Sequence, residues 1–464
     1  MFENEIEKYR EDMINDLINL INIKTIESDK KPNMPFGVDV YNGLKYVLTR
    51  GNDLNFKCQN YCGFCGQIEA GEGNYSVGVL CNIDVKEPSS KWTVDPFLGQ
   101  IIDNKIYGKG SLRAKGPLVA CLYAMKIIND GGYIPKDKRI RLIVSADKES
   151  GYKGINYYKE YEEAPEIGFA TDGKFPVIYG EKGTIKMDLN MAIDSSFDSP
   201  INIVQISGGM DYERVPSKVN IILSCDDIFK ERIEDDLKNF CKKEKLKYSC
   251  VCQNKLMSIE IQGKSAFSYE PEKGKNAISY GIKFLAQFDE FINLNKFLLE
   301  YEKLISTTYN GEKINCNFED EDSGKLTFNV STIDIANDNI CIGVDVRYPI
   351  TAIYSEVLES IKGAFKYSNL QVSNVNHVRQ VSFSKDSFVV KKLMKAYKDV
   401  TGDIEVEPYV TSGTSYARAI SNTVSFGPLN NVYDGNDEWD ENVSIDYLLE
   451  LTEIYARGIY ELLR

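Results

Sequence analysis

Three apolar runs, Tyr75–Cys81, Ile140–Val144 and Glu166–Ala170, each give way to a short polar cluster, and an apolar helical stretch separates the first two. That order restricts the fold sharply. The helical stretch starts near Pro117 and sets Leu118, Cys121, Leu122, Met125 and Ile128 on one side. Proline suits a first helical turn, where its missing N–H would have had no partner. Strand, helix and strand at this spacing predict parallel pairing in an α/β sheet covered on both faces. Ligands of such sheets sit just beyond the carboxyl ends of the strands. The groups there are Asn82-Ile83-Asp84, Asp147-Lys148-Glu149 and Asp172-Gly173, and they are expected around one crevice. Solvated acids scattered over loops are the plainer alternative.

Residues 3–22 space Ile6, Tyr9, Met13, Leu17, Ile18 and Ile21 helically, which predicts one amphipathic helix over the core. The pattern changes after about Gly183. From there to Phe383, strands are expected at Lys218–Ser224, Tyr248–Gln262 and Leu326–Tyr348, and helices at Ile228–Lys245, Asn276–Phe291 and Ala352–Phe365. This is the pattern of an α+β insert. A helix at Phe388–Val400 and a strand near Thr423–Phe426 resume the first pattern. A chain of 464 residues is too long for one small core. The expected division is an α/β domain in two parts, 1–183 and 383–464, with 184–382 inserted.

A net charge of -14 argues against nucleic-acid and anionic-membrane partners, because the molecule's field repels phosphate. No apolar run approaches the roughly 18 residues that cross a bilayer. The acidic start, Met1-Phe-Glu-Asn-Glu, lacks the cationic and apolar stretches of a signal peptide. Eleven cysteines without such a signal suggest reduced thiols and a cytoplasmic location.

Several short motifs then fall in a telling order. They are Trp92–Phe97, Ile106-Tyr-Gly-Lys-Gly-Ser111, Lys115-Gly-Pro117 and Gly180-Glu-Lys-Gly183, followed by Gly208-Gly209 with Val215-Pro216, Ile261–Ala266, Val344-Asp-Val-Arg-Tyr-Pro349 and Gly413–Arg418. In order and spacing they resemble the co-catalytic zinc exopeptidases, most closely the peptidase V-type dipeptidases of bacteria, over nearly the whole chain. The resemblance implies a catalytic α/β domain interrupted by an α+β, ferredoxin-like lid. It also implies two zinc ions that share a bridging Asp, with one held by a His and an Asp and the other by a Glu and a His near the C-terminus. A Glu just before the liganding Glu is the general base.

This chain has one histidine, His377, so the likeness breaks where the chemistry sits. Carried over residue by residue, Asn82 replaces the first His, while Asp84, which would orient it, remains. Arg113 stands at the bridging Asp and Lys148 at the general base. Glu149 and Asp172 keep the two carboxylate ligands, and Asp437 takes the last His. In the lid, Phe267 replaces a His and Glu213 an Asn that would polarise the scissile carbonyl. A guanidinium cannot ligate a metal and stays protonated. Lys148 acts as a base only if its pKa is strongly depressed, and carboxylate neighbours push it the other way. A dication about 5 Å from a unit cation is repelled by roughly 6–7 kcal/mol at an effective dielectric near 20. Two such cations cancel most of the ~10–16 kcal/mol that a well-formed zinc site supplies. Arg113 and Lys148 are therefore expected where the metals would be, neutralising the acidic cleft.

The resemblance also assigns Arg347 and the loop bearing Gly413, Thr414, Ser415 and Arg418 to the substrate carboxylate, which a planar guanidinium suits through paired hydrogen bonds. The alternative for Arg347 is a structural pair with an acid at the lid hinge. Cys58, Cys62 and Cys65 have the spacing of a four-iron cluster motif, but their flanks fit early strands of the family better. Cys81, beside Asn82, is either a reactive thiol or, the commoner case, a buried core thiol. Gly108-Lys-Gly110 lacks the rest of a nucleotide loop, since Arg113 fills the position of its last glycine. His377 reads as a satisfied surface residue. The expectation is a monomeric dipeptidase homologue that has lost zinc binding and hydrolysis and needs no cofactor. It would bind a small peptide, an amino-acid-like ligand or a protein partner. An active metal-dependent dipeptidase or aminoacyl hydrolase is the alternative, with zinc or manganese held by Asp84, Glu149, Asp172 and Asp437. A purely structural or regulatory partner of an active relative is the third reading.

Overall fold

The computed structural model describes residues 2–193, 199–336, 339–430 and 439–464. The chain divides into two compact units, one of Met1–Gly180, Val381–Val410 and Thr414–Arg464, the other of Glu181–Gln380 with Thr411–Gly413.

In the first unit the strands Tyr75–Asn82, Lys138–Ser145 and Ile167–Ala170 run parallel, with Tyr75–Asn82 between the other two. Thr423–Ser425 joins Ile167–Ala170 in parallel, and Cys65–Gly71 joins Lys138–Ser145 antiparallel. These strands are apolar on both faces because both are covered. Val77, Val79, Cys81, Ile140, Leu142 and Val144 pack in one core with the helices Lys115–Asp130 and Ile445–Leu462. The alternate residues Leu80 and Ile143 face a second cluster with Ile155, Tyr158 and Tyr416. Each aliphatic side chain buried in this way contributes about 1.5–3 kcal/mol. Pro117 is the third residue of its helix, two residues in from Lys115. The helix is buried nearly all round, a wider apolar surface than the single stripe read from sequence.

Two early elements differ from expectation. The N-terminal helix is two helices, Glu3–Lys8 and Arg10–Ile21, separated at Tyr9. Tyr9 leaves the helical region (φ -102°, ψ 6°), and its hydroxyl donates to Asp130 Oδ2 at 2.6 Å. The cysteine-rich stretch is a hairpin, Lys57–Tyr61 paired with Cys65–Gly71. Cys65 is buried with Leu80 and Ile143, whereas Cys62 is exposed in the turn. The hairpin therefore spreads the three thiols instead of gathering them.

The second unit is an eight-stranded antiparallel sheet in the order Lys247–Gln253, Leu256–Gln262, Lys218–Cys225, Ile201–Gly208, Thr327–Ala336, Asn339–Tyr348, Gly183–Ala192 and Gln371–Val378. Helices Asp227–Glu244, Ala277–Leu285, Asn295–Leu304 and Tyr354–Phe365 contribute Ile233, Leu237, Ile278, Ile282, Phe297 and Val357 to its core. Strands and helices at these positions make it an α+β insert. His377 lies on the last strand. Its Nε2 is 2.7 Å from the Tyr348 hydroxyl and its ring stacks on Tyr354 at 3.6 Å, so it is a satisfied structural side chain. Among the described residues no helix is long and apolar enough to cross a membrane.

Candidate functional site

Parallel pairing brings three carboxyl ends to one edge of the first unit's sheet, and the polar clusters meet there. The Asn82 amide donates to the Asp84 carbonyl at 3.0 Å and to Asp84 Oδ1 at 3.1 Å. Asp84 Oδ2 accepts the Glu149 N–H at 2.7 Å. Asp84 is only 3% exposed, and that burial pushes its carboxyl above the usual range despite these two donors. Asn82 thus holds Asp84 as a hydrogen-bond donor.

Lys148 lies between the other two acids. Its ammonium is 2.9 Å from Glu149 Oε1 and 3.6 Å from Asp172 Oδ2. Burial alone would lower its pKa, but Asp172 and Glu149 outweigh that and hold it above its ordinary value. Both carboxylates favour its charged form. Burial likewise works against the Glu149 carboxylate, yet Lys148 keeps that carboxyl below its usual range, with help from Lys86 at 3.3 Å. Asp172 Oδ2 also accepts the Tyr416 N–H at 2.7 Å, which ties the loop after Ser415 to this edge.

Arg113 follows a loop held from an unexpected quarter. Glu441, 2% exposed, accepts the backbone N–H of Gly110 at 2.9 Å and those of Leu112 and Arg113 at 3.1 Å. Lys109 Nζ is 3.7 Å from the same carboxylate. Gly110 adopts φ +87°, which turns its N–H to the acid; a β-carbon there would lie 2.9 Å from Val85 Cγ1. Asp84, Lys86, Lys109, Arg113, Glu149 and Glu441 line one cavity of about 40 Å³. The cavity is partly open to solvent and has room for ordered water. Glu441 was missed in the sequence because over 300 residues separate it from its partners. Asp437, assigned there instead, lies outside the described residues. Among those described, no group of three or more His, Cys, Asp or Glu side chains is placed to hold a metal ion.

Lys115, at the start of the helix behind this loop, is fully buried, and its ammonium donates to the Ile23 carbonyl at 2.8 Å. Burial lowers its pKa from 10.5 to about 7, with Glu441 opposing. The unfolded chain keeps this proton up to 10.5 and the folded chain releases it near 7, so unfolding between those values takes a proton up. Rising pH therefore favours the folded state across that window. Compared with Lys115→Met, the wild type is expected to gain about 2 kcal/mol of stability between about pH 7 and about pH 9, measured by denaturant unfolding. A constant difference would show that the amine is already neutral, or still charged, throughout.

The remaining assigned residues divide between the units. In the inserted unit, Arg347 is 3% exposed, and its Nε and Nη2 bond to the two oxygens of Asp345 at 2.7 and 2.8 Å. Its Nη1 donates to Thr184 Oγ1 at 3.0 Å. The guanidinium fork is thus filled by an acid two residues away, the structural pairing that the sequence left open. Phe267 is exposed and stacks on Tyr269 at 4.9 Å, with the Arg214 guanidinium 4.2 Å from its ring centre, while Glu213 pairs with Lys186 at 2.9 Å. The Gly413 N–H donates to Thr411 Oγ1 at 3.0 Å. In the first unit Thr414 is exposed, Ser415 and Arg418 are buried, and Ser415 Oγ accepts the Ala417 N–H at 3.1 Å. Cys81 is buried and accepts from Thr171 Oγ1 at 3.2 Å, a core thiol.

Comparison with known proteins places this geometry in a context. Residues 82–461 match the sequence signature of peptidase family M20/M25/M40. The chain is 32% identical to "Putative dipeptidase YtjP" of Bacillus subtilis over 99% of both chains. It is 30% identical to "Putative dipeptidase" of Staphylococcus epidermidis over 100% of this chain and 99% of that one. The crystal structure of human carnosine dipeptidase 1 shares the fold, with a TM-score of 0.53 at 14% identity over 99% of this chain and 98% of that one.

Proposed function

Because the chain belongs to the M20/M25/M40 peptidase family, we propose that it is a dipeptidase-like member that binds a small peptide or amino-acid-like ligand without hydrolysing it through zinc. The observation that carries this reading is the Lys148 ammonium, 2.9 Å from Glu149 and 3.6 Å from Asp172. Those are the two carboxylates that would reach for metal, and they are neutralised by a side chain instead. A proton held firmly by Lys148 also removes the base that would activate water. The described donor set does not fit a zinc pair. Asn82 is engaged with Asp84, and Arg113 lines the cavity beside Asp84 and Glu149. No hydrolytic step is derived through a metal. What these residues do is fix one another: Asp84 orients the Glu149 backbone, Lys148 joins Glu149 to Asp172, and Asp172 holds the Tyr416 amide.

The test is dipeptide hydrolysis with and without added zinc, manganese and cobalt, run beside thermal melts with the same peptides. Peptides should raise the melting temperature without being cleaved, and added metal should not change this. Robust turnover abolished by a chelator would reject the proposal in favour of an active metal-dependent dipeptidase. Neither a shift nor cleavage would leave a partner role for the protein and reject peptide binding. The Arg113→Asp, Lys148→Glu double variant removes both cations, and its metal uptake should exceed that of the wild type.

A further inference from the structure

The second unit carries a guanidinium that its own structure leaves unmatched. The Arg214 guanidinium stands 4.2 Å over the Phe267 ring centre, and among the described residues it makes no hydrogen bond and no ion pair. The ring beneath it is backed in turn. Phe267 stacks on Tyr269 at 4.9 Å with 10° between the planes, and the Arg347 guanidinium lies 5.9 Å from the Tyr269 ring centre. Asp345 fixes Arg347 through two hydrogen bonds, so the stack leans on a locked side chain. The backbone holds the contact together as well. Arg214 and Phe267 face each other in an isolated antiparallel bridge, with the Val215 N–H donating to the Ala266 carbonyl and the Ser268 N–H to the Glu213 carbonyl, each at 2.9 Å. The buried Asn329 amide donates to the Arg214 carbonyl at 3.1 Å.

We propose that Arg214 forms a carboxylate-binding site on the inserted unit, taking the free carboxylate of a small peptide or amino-acid-like ligand. The proposal rests on the peptide-binding reading of the chain and names the group that grips the ligand. A guanidinium held by its face against an aromatic ring keeps its N–H edge for a planar acceptor that takes two parallel hydrogen bonds. Arg347, assigned to a carboxylate by resemblance, already has its fork on Asp345. Arg214 has the orientation without the partner.

The surroundings fit an anionic group at one end of a ligand. Arg214 lines a cavity of about 230 Å³ with Gly209, Asp211, Ser217, Lys218 and Ser265. That is below the roughly 300–1,000 Å³ of sites that enclose a whole ligand, and it suits one end of a small one. Two cations on its lining, Arg214 and Lys218, face one acid, Asp211, whose Oδ1 accepts the Glu213 N–H at 2.7 Å. The neighbouring acids are matched by lysines: Glu213 with Lys186 at 2.9 Å, Glu260 with Lys218 at 3.3 Å and Glu270 with Lys273 at 2.6 Å. The hydroxyls of Ser217 and Ser265 are exposed on the same lining and add donors suited to a carboxylate.

Isothermal titration of the full-length protein, with chelator present so that nothing is cleaved, compares alanyl-leucine, alanyl-leucinamide and N-acetyl-leucine. Wild type is expected to bind the two free acids about tenfold more tightly than the amide, the worth of a charge-assisted pair in partial contact with water. Arg214→Gln should erase that preference. Arg214→Lys should restore only part of it, because a point charge lacks the fork. Arg214 is exposed, so both variants keep the fold, and an unchanged melting temperature without ligand checks this. Equal affinity for acid and amide in wild type, or a preference that survives Arg214→Gln, would overturn the proposal and leave peptide binding standing. Binding of N-acetyl-leucine alone, lost in Arg214→Gln, would uphold the carboxylate site and reject the peptide reading. If none of the three binds, both fall.

Discussion

Arg347→Met is expected to lower the stability of the inserted unit by about 3–5 kcal/mol, the usual cost of leaving one partner of a buried ion pair alone. Asp345 has no exposed surface, and both of its oxygens accept hydrogen bonds from the one guanidinium. Removing Arg347 leaves a fully buried carboxylate without the guanidinium that neutralises it. The double variant Arg347→Met, Asp345→Leu should recover most of the loss, because the penalty lies in the uncompensated charge more than in the missing attraction. Urea unfolding followed by circular dichroism measures both. A single-variant loss below about 1 kcal/mol would mean that the pair is hydrated or replaceable. The outcome also bears on ligand binding. If Arg347 is a structural residue, peptide-induced melting shifts should survive in any variant that stays folded.

Glu441→Ala carries the second large effect. The carboxylate accepts three backbone N–H groups within a short loop, and hydrogen bonds to a charged acceptor contribute about 1.5–3 kcal/mol each. Water can reach some of the freed donors, so the expected net loss is about 3–5 kcal/mol for the first unit. Glu441→Gln, which keeps one oxygen as an acceptor, should lose less than the alanine variant. The local signature is sharper than the global one. Amide hydrogen exchange at Gly110, Leu112 and Arg113 should accelerate by orders of magnitude, while exchange in the strand Tyr75–Asn82 should change only with overall stability. Unchanged protection at those three amides would show that the loop is held by something other than Glu441.

The legible parts of this fold share a cause. Tyr75–Asn82 and Lys138–Ser145 are apolar on both faces because both faces are covered, and such runs stand out between polar turns. Their carboxyl-end groups could be expected together once parallel pairing was inferred, and Asp84, Lys148, Glu149 and Asp172 do meet. The hairpin Lys57–Gly71 was harder to read. Its first strand is mostly exposed and lacks alternation, so its cysteines drew the attention instead. The helix Ile445–Leu462 is buried on most sides, which weakens the periodicity that marks an amphipathic helix. The break at Tyr9 depends on Asp130, far along the chain. Glu441 was illegible for the same reason, since nothing local in a sequence says which buried acid a row of amides will find. A structural acid partner for Arg347, by contrast, was already one of its two readings and proves to be two residues away.

Metal content is the measurement that bears most directly on the central claim. Reduced, full-length protein equilibrated with excess zinc and then freed of unbound ion should contain well under one equivalent per chain by elemental analysis, because Lys148 already bridges Glu149 and Asp172. Two tightly held zinc ions per chain, removed by chelator together with peptide hydrolysis, would contradict the account.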